Sequence, residues 1–278
     1  MANLLAHFEP TELIDFMNFI GLSIHKLQED MLDVLDQLIG PLSAHINGIL
    51  AQPVTGTDDQ VTQSDTKRAY LGLLISIMSS KLHTVFISDS KCQPPLHVCS
   101  SVDSVVVGNK GQLEGLLESM LRLAEDPSDP SSEKYAILFL GRCVAVWAEP
   151  PKAPGGQQVL PGFERFVYER VVPTAFAVLS LPQFNIKDGQ IVVVCSGTAY
   201  VPHVLTPWQV LQEIANFLQT VSKTRGQEAF DFFVTVFLPS QNWPQSTAIE
   251  FATKMRDLDP KAFRKYFTDF VRASRAGS

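Results

Sequence analysis

Along most of the chain, apolar residues recur three and four positions apart, the spacing of helices with one buried face. Leu13, Phe16, Met17 and Ile20 form the first stripe, behind a start signal at Pro10, Thr11 and Glu12. Met31, Val34, Leu35, Leu38, Leu42, Ile46 and Ile49 predict a second helix from about residue 27 to 50, which Pro41 is expected to kink or restart. The polar run 51–63, with its Thr-Gly-Thr turn signal, reads as a loop. Ser64 or Asp65 would then cap a third helix carrying Tyr70, Leu71, Leu74, Ile75, Ile77 and Met78. Residues 112–123 follow, with Leu113, Leu116, Leu117, Met120 and Leu121 inward. Residues 135–147 are nearly all apolar and predict a buried helix. Further helices are predicted over 163–179, from Pro207 to about Val221, and over 229–239, 244–258 and 260–274.

Three apolar stretches carry a proline near one end: 31–46, 163–179 and 228–241. Phe163, Phe166 and Val167 precede Pro173; Phe230, Phe233, Val234 and Phe237 precede Pro239. Helices with faces this wide must bury them against one another, as stacked helix pairs do. Such pairs recur about every 40–60 residues, near the HEAT-repeat period. The pattern predicts an all-α fold, an α-solenoid (superhelix) of about five HEAT-type antiparallel helix pairs. Residues 1–278 would form one array, with an irregular insertion at about 79–109 and a Pro/Gly-rich loop at 149–162. One local conflict stands: IVVVC (191–195) is β-prone. No partner strand is evident nearby, so a buried helix over 187–204 is the expectation.

Composition narrows the function classes. The net charge is −7 over 278 residues, which disfavours nonspecific nucleic-acid binding by the chain as a whole. Four scattered cysteines fit a reducing compartment. The first residues lack a basic leader, and the longest apolar stretch is too short for a bilayer and holds Gly197, Pro202 and His203. An intracellular, soluble protein without membrane contact is expected. Phosphate-loop spacings and G-x-S-x-G are absent, and Asp58-Asp59 have no catalytic partner to name. Cys92, His97 and Cys99 lack the tight paired spacing of a zinc site. No enzyme activity, catalytic residue, metal or cofactor is expected.

Charge is distributed unevenly. From Phe251 onward Lys254, Arg256, Lys261, Arg264, Lys265, Arg272 and Arg275 face three aspartates, whereas the rest of the chain has fifteen basic against twenty-six acidic residues. On a helix, Lys261, Lys265, Arg272 and Arg275 fall along a side away from Phe263, Phe267, Phe270 and Val271. Such a row can track phosphates. It can equally be a solvated end cap whose cations suit the helix dipole. Lys223 and Arg225, in the turn SKTRG, are either phosphate contacts or part of a helix cap closed by Gly226. Lys67 and Arg68 read as a solvated face.

Four runs carry a family resemblance: PGFERFVYERVVPTAF, LPQFNIKDGQ, SKTRGQEAFDFFVTVFLPS and FATKMRDLDPKAFRKYFTDFVRASR. TKRAYLGLLISIM and YAILFLGRCVAVWAE add to it upstream, in the same order. The chain resembles the C-terminal end of exportin-T, the transfer-RNA export receptors of the karyopherin-β (importin-β) family, over about residues 10–275. The resemblance implies a superhelix of HEAT repeats that binds tRNA cooperatively with Ran-GTP, passes nuclear pore proteins and shuttles between nucleus and cytoplasm. It implies that Ran is held mainly by an N-terminal arch and that the RNA is wrapped by the C-terminal arch, which this chain would be. The segment 79–109 and TPWQVLQEIA match no motif of the family. A second class also fits the residues: a HEAT-repeat scaffold or protein-cargo karyopherin without RNA binding.

Overall fold

Pro10 and Glu12 do begin a helix, α1 (Pro10–Leu27), in which the Glu9 N–H donates to the Glu12 carboxylate at 2.9 Å. The computed structural model describes residues 5, 7–89, 91–92, 105–106, 108–126, 129–150, 160–181 and 207–276. The fold is all-α, of the helical-solenoid class, as the apolar periodicity predicts. Two compact units divide it, Met1–Ser119 and Met120–Ser278.

In the first unit α1 buries Leu13, Met17, Ile20 and Ile24. A 3-10 turn, Gln28–Met31, leads to α2 (Leu32–Leu50), so the second helix starts later than its stripe suggests. Pro41 lies inside α2 and does not end it. Next to it Gly40 lies under the Asn109 side chain: a Cβ there would stand 2.8 Å from Asn109 Oδ1 and would push that amide aside. Asn109 is buried and donates to the carbonyls of Asp36 at 3.0 Å and Val85 at 2.9 Å. That clamps α2 to the short 3-10 turn His83–Ile87.

The third helix corrects the sequence reading. α3 (Thr57–Ser79) starts well before Ser64. The Asp59 carboxylate accepts from the Thr55 N–H at 3.2 Å and from its hydroxyl, and Asp58 and Asp59 in the first turn suit the helix's positive end. These first turns are exposed on all sides, so no apolar period marks them. The later turns bury Tyr70, Leu71, Leu74 and Ile77; α3 packs on α1, and the Tyr70 hydroxyl donates to Ser43 Oγ of α2 at 2.7 Å. After the 3-10 turn, β1 (Lys91–Cys92) pairs antiparallel with β2 (Val105–Val106). Gly108 then passes so close to the Asp89 backbone that a Cβ would stand 2.3 Å from it. α4 (Lys110–Ala124) buries Leu113, Leu116, Leu117, Met120 and Leu121 as expected, and the boundary between the units falls within it.

The second unit begins with α5 (Pro130–Trp147), capped by Asp129, whose carboxylate accepts from the Ser132 N–H at 3.1 Å. Next, α6 is built of three joined pieces: an α-turn Phe163–Phe166, a π-helical stretch Val167–Val171 and an α-helix Val172–Ser180. α7 (Pro207–Arg225) follows. α8 repeats the design of α6, with Gln227–Phe232, a π stretch Phe233–Phe237 and Leu238–Ser240. α9 (Gln245–Asp257) and α10 (Pro260–Ala276) complete the chain.

The two π stretches explain how helices this apolar tolerate their prolines. Proline inside an α-helix removes a hydrogen bond, and its ring clashes with the carbonyl four residues back. Here the residue just before each proline reaches five back instead: the Val172 N–H donates to the Val167 carbonyl, and the Leu238 N–H to that of Phe233. The widened turn lets the ring of Pro173 or Pro239 fit.

α7 is the hub of this unit, touching α5, α6, α8, α9 and α10. It buries Val210, Leu211, Ile214, Phe217, Leu218 and Val221. Buried Gln219 donates to the carbonyls of Met255 at 3.3 Å and Leu258 at 2.8 Å, satisfying the end of α9. Phe251 of α9 sits among the rings of Phe176, Phe233, Phe263, Phe267 and Phe270, at 4.8 to 6.2 Å. The expected helix over 187–204, most of the loop 149–162 and the Cys92–Cys99 loop beyond β1 lie outside the described residues.

Candidate nucleic-acid interface

Asp259 and Pro260 set the start of α10. The Asp259 carboxylate accepts from the backbone N–H groups of Lys261 at 2.9 Å and Ala262 at 3.1 Å, and those bonds hold its carboxyl below the usual range. From that fixed start the sequence writes two faces. Phe263, Phe267 and Val271 turn inward and are buried. Lys261, Arg264, Lys265, Asp269 and Arg272 fall on the other face, at offsets of 0, 3, 4, 8 and 11 residues, with the buried Thr268 at the edge between the two. Together with Gln212 of α7 they line an open groove of about 500 Å³.

Four of the nine cations expected at a phosphate-binding surface therefore share one groove with a single acid. Lys261 and Lys265 make no ion pair among the described residues. Arg272 has Asp269 at 3.6 Å, with both side chains more than half exposed, so solvent screens that pair and leaves the guanidinium available. Arg264 leans inward, with Nη1 at 3.4 Å from Asn216 Oδ1 on α7.

The other five stand elsewhere. Arg275 donates to the Leu181 carbonyl at 2.6 Å and borders a separate cleft beside Trp243 and Phe270, so it does not continue the row. Lys254 is exposed near the end of α9. Arg256 makes a two-point contact with Asp257, at 2.7 and 3.1 Å, and lies 5.1 Å from the centre of the Phe230 ring. Lys223 is exposed in the last turn of α7. Arg225 serves the fold: its side chain is only 9% exposed, donates to the Ala148 carbonyl at 2.8 Å and pairs with Glu228. The following Gly226 closes the turn, as the cap reading requires.

Two cations that the sequence reading passed over stand across α7 from the groove. Glu213 on α7 is largely buried, and burial pushes its carboxyl up. Asn216, Lys134, Arg142 and Arg264 act against that burial and favour its ionised form. Lys134 and Arg142 lie on α5, eight residues apart, a little over two helical turns. Stacked helices bring them to the site, so only the α5–α7 contact reveals them.

Among the described residues no group of three or more His, Cys, Asp or Glu side chains is placed to hold a metal ion, and no helix is long and apolar enough to cross a membrane. The groove offers positive charge and the Gln212 side chain, whereas the Thr268 hydroxyl donates to the Arg264 carbonyl and the Asn216 amide is engaged by Glu213 and Arg264.

The family model for Exportin-T matches residues 1–275. The chain is 57% identical over 278 residues to an Exportin-T of Laccaria bicolor and 50% identical over 280 residues to one of Coprinopsis cinerea. An Exportin-T of Mycosarcoma maydis is 35% identical over 275 residues. Each alignment covers 99% of this chain but only 22–23% of the relative, so the chain spans under a quarter of the length of the proteins it matches.

Proposed function

This chain belongs to the Exportin-T family, and on that premise we propose that it is the RNA-wrapping, C-terminal part of a nuclear export receptor. In this reading it binds tRNA without catalysing a reaction. It acts with Ran-GTP, which is held mainly by a part of the receptor outside this chain. The complete receptor meets nuclear pore proteins and shuttles between nucleus and cytoplasm. The observation that carries the reading is the groove on α10, where Lys261, Arg264, Lys265 and Arg272 converge in a chain whose net charge is −7. A polyanion is the ligand that rewards such a local reversal of charge.

The test is a salt titration of tRNA binding by the complete receptor with Ran-GTP. Reversing Lys261, Lys265 and Arg272 to Glu is expected to weaken binding and to flatten the log–log salt slope by roughly 0.7 to 0.9 for each lost phosphate contact. Arg275→Ala, outside the groove, is expected to leave the slope unchanged. If the triple variant binds tRNA with unaltered affinity and slope, the groove is a solvated end cap. Binding of proteins alone would favour a HEAT-repeat scaffold.

A further inference from the structure

We propose that the RNA surface does not stop at α10 but crosses α7 onto α5, where Lys134 and Arg142 form a second phosphate-binding row facing the first across Glu213. This rests on the RNA-binding reading above and adds to it a site, a second set of residues and a consequence for pH.

The geometry starts from α7. This helix lies against both α5 and α10, and Gly141 of α5 faces Phe217 of α7, where a Cβ would be in ordinary contact with the ring at 3.9 Å. On the α10 side, Gln212 borders the groove and Asn216 meets Arg264 at 3.4 Å. On the α5 side stand Lys134, whose amino group lies 5.4 Å from the centre of the Tyr135 ring, and the exposed Arg142. Glu213 lies on α7 itself, with the Asn216 side-chain amide donating to it at 3.4 Å. Cations from two helices, Lys134 and Arg142 of α5 and Arg264 of α10, are thus close enough to act on one largely buried carboxyl of the helix that packs against both.

Three cations around one acid leave net positive charge, and neither Lys134 nor Arg142 makes an ion pair within 4 Å among the described residues. A fold that needed only to neutralise Glu213 would need one partner. The surplus, continuous with the four cations of the groove, suits a backbone carrying one charge per nucleotide.

Glu213 gives the surface a distinctive property. Burial already disfavours its ionised form, and Lys134, Arg142 and Arg264 help to hold it ionised. Phosphates arriving at those cations offset their field and place negative charge near the carboxylate. The carboxyl then takes a proton more readily in the complex than in the free chain. By linkage, binding is coupled to proton uptake and strengthens as pH falls through the carboxyl's titration. The other charged groups on the adjoining surface are Lys261, Lys265, Asp269 and Arg272 of α10. Asp269 is exposed beside Arg272.

The experiment uses the complete receptor with Ran-GTP, and tRNA as the probe. Affinity is measured against salt and pH for wild type, a Lys134→Ala/Arg142→Ala double variant and Glu213→Gln, with helical content checked by circular dichroism. Calorimetry in two buffers of different ionisation enthalpy counts the protons taken up. The double variant is expected to lose roughly 1.4 to 1.8 from the salt slope, two contacts at about 0.7 to 0.9 each. Glu213→Gln is expected to bind more tightly than wild type near neutral pH and to lose proton uptake; damage to the fold would weaken binding instead. Wild type that binds tRNA while the double variant keeps its slope overturns this proposal alone. So does a folded Glu213→Gln that binds no tighter or still takes up protons as wild type does. Wild type that binds no tRNA overturns both this proposal and the function it rests on.

Discussion

Glu133, in the first turn of α5, is buried, and burial together with nearby Asp126 and Asp129 pushes its carboxyl up to about 8. An ordinary Glu carboxyl titrates near 4.5. Between about 4.5 and about 8 the folded chain therefore holds this proton while the unfolded chain releases it. Its contribution to stability is complete below that window, falls as pH rises through it and levels off above. Glu133→Gln keeps a neutral side chain at every pH, so the urea midpoint of the variant is expected to exceed that of wild type at the alkaline end and to match it more closely at the acid end. Parallel pH profiles for the two proteins would contradict the assignment. At this scale the sequence was legible only where a side chain's role depends on its own helix. Phe263 and Phe267 against Lys261 and Lys265 could be read from spacing alone. Arg225 and Arg275 could not, because their carbonyl partners lie 77 and 94 residues away. Both look like free surface cations in the sequence. Lys134 and Arg142 were missed for the converse reason: nothing near them in the chain is basic enough to draw attention, and only α7 relates them to α10.

Between helices the joints decide the geometry, and two of them share a backbone conformation with different residues in it. Gly226, between α7 and α8, has φ 57° and ψ −123°. Gln28, at the end of α1, has φ 47° and ψ −118°. L-residues with a Cβ rarely adopt this conformation, and strained backbone of this kind costs about 1–3 kcal/mol. A Cβ on Gly226 would meet nothing within 4 Å, so its cost would be conformational alone. Gly226→Ala is expected to lower the melting temperature by several degrees, whereas Gln28→Gly, which relieves the same strain, is expected to raise it. Equal shifts of the same sign would show that side-chain contacts, not the backbone, control these joints. Element boundaries were least legible where burial was incomplete. The first turns of α3 face water on all sides, so polar residues at 57–63 gave a loop-like pattern to what hydrogen bonding from Thr55 to Asp59 makes a helix. Pro41 does not restart the helix, since α2 runs through it from Leu32 to Leu50.

For the whole molecule, the all-α class was legible because nearly every long segment carries a 3.6-residue apolar period. The family resemblance followed the same segments and agrees with the match over residues 1–275. On the proposed division of labour, this chain alone is expected to bind Ran-GTP weakly, and calorimetry that reported tight, nucleotide-dependent binding would refute that division. The π stretches beside Pro173 and Pro239 bear on how such an array keeps its faces aligned. A turn bonded five residues back stores one residue more than an α-turn, and each residue advances a helix by about 100°. Counted at a strict 3.6, the residues after each proline would point about 100° away from where they lie. The extra residue is thus a clutch between the two halves of a helix. Deleting a single residue from 167–171 or 233–237 would re-engage the α-helical count and swing the downstream turns through more than a quarter of a circle. Leu238, fully buried now, would be turned away from its present neighbours, and the contact between the rings of Phe233 and Phe237 would be lost, without one side chain having changed its chemistry.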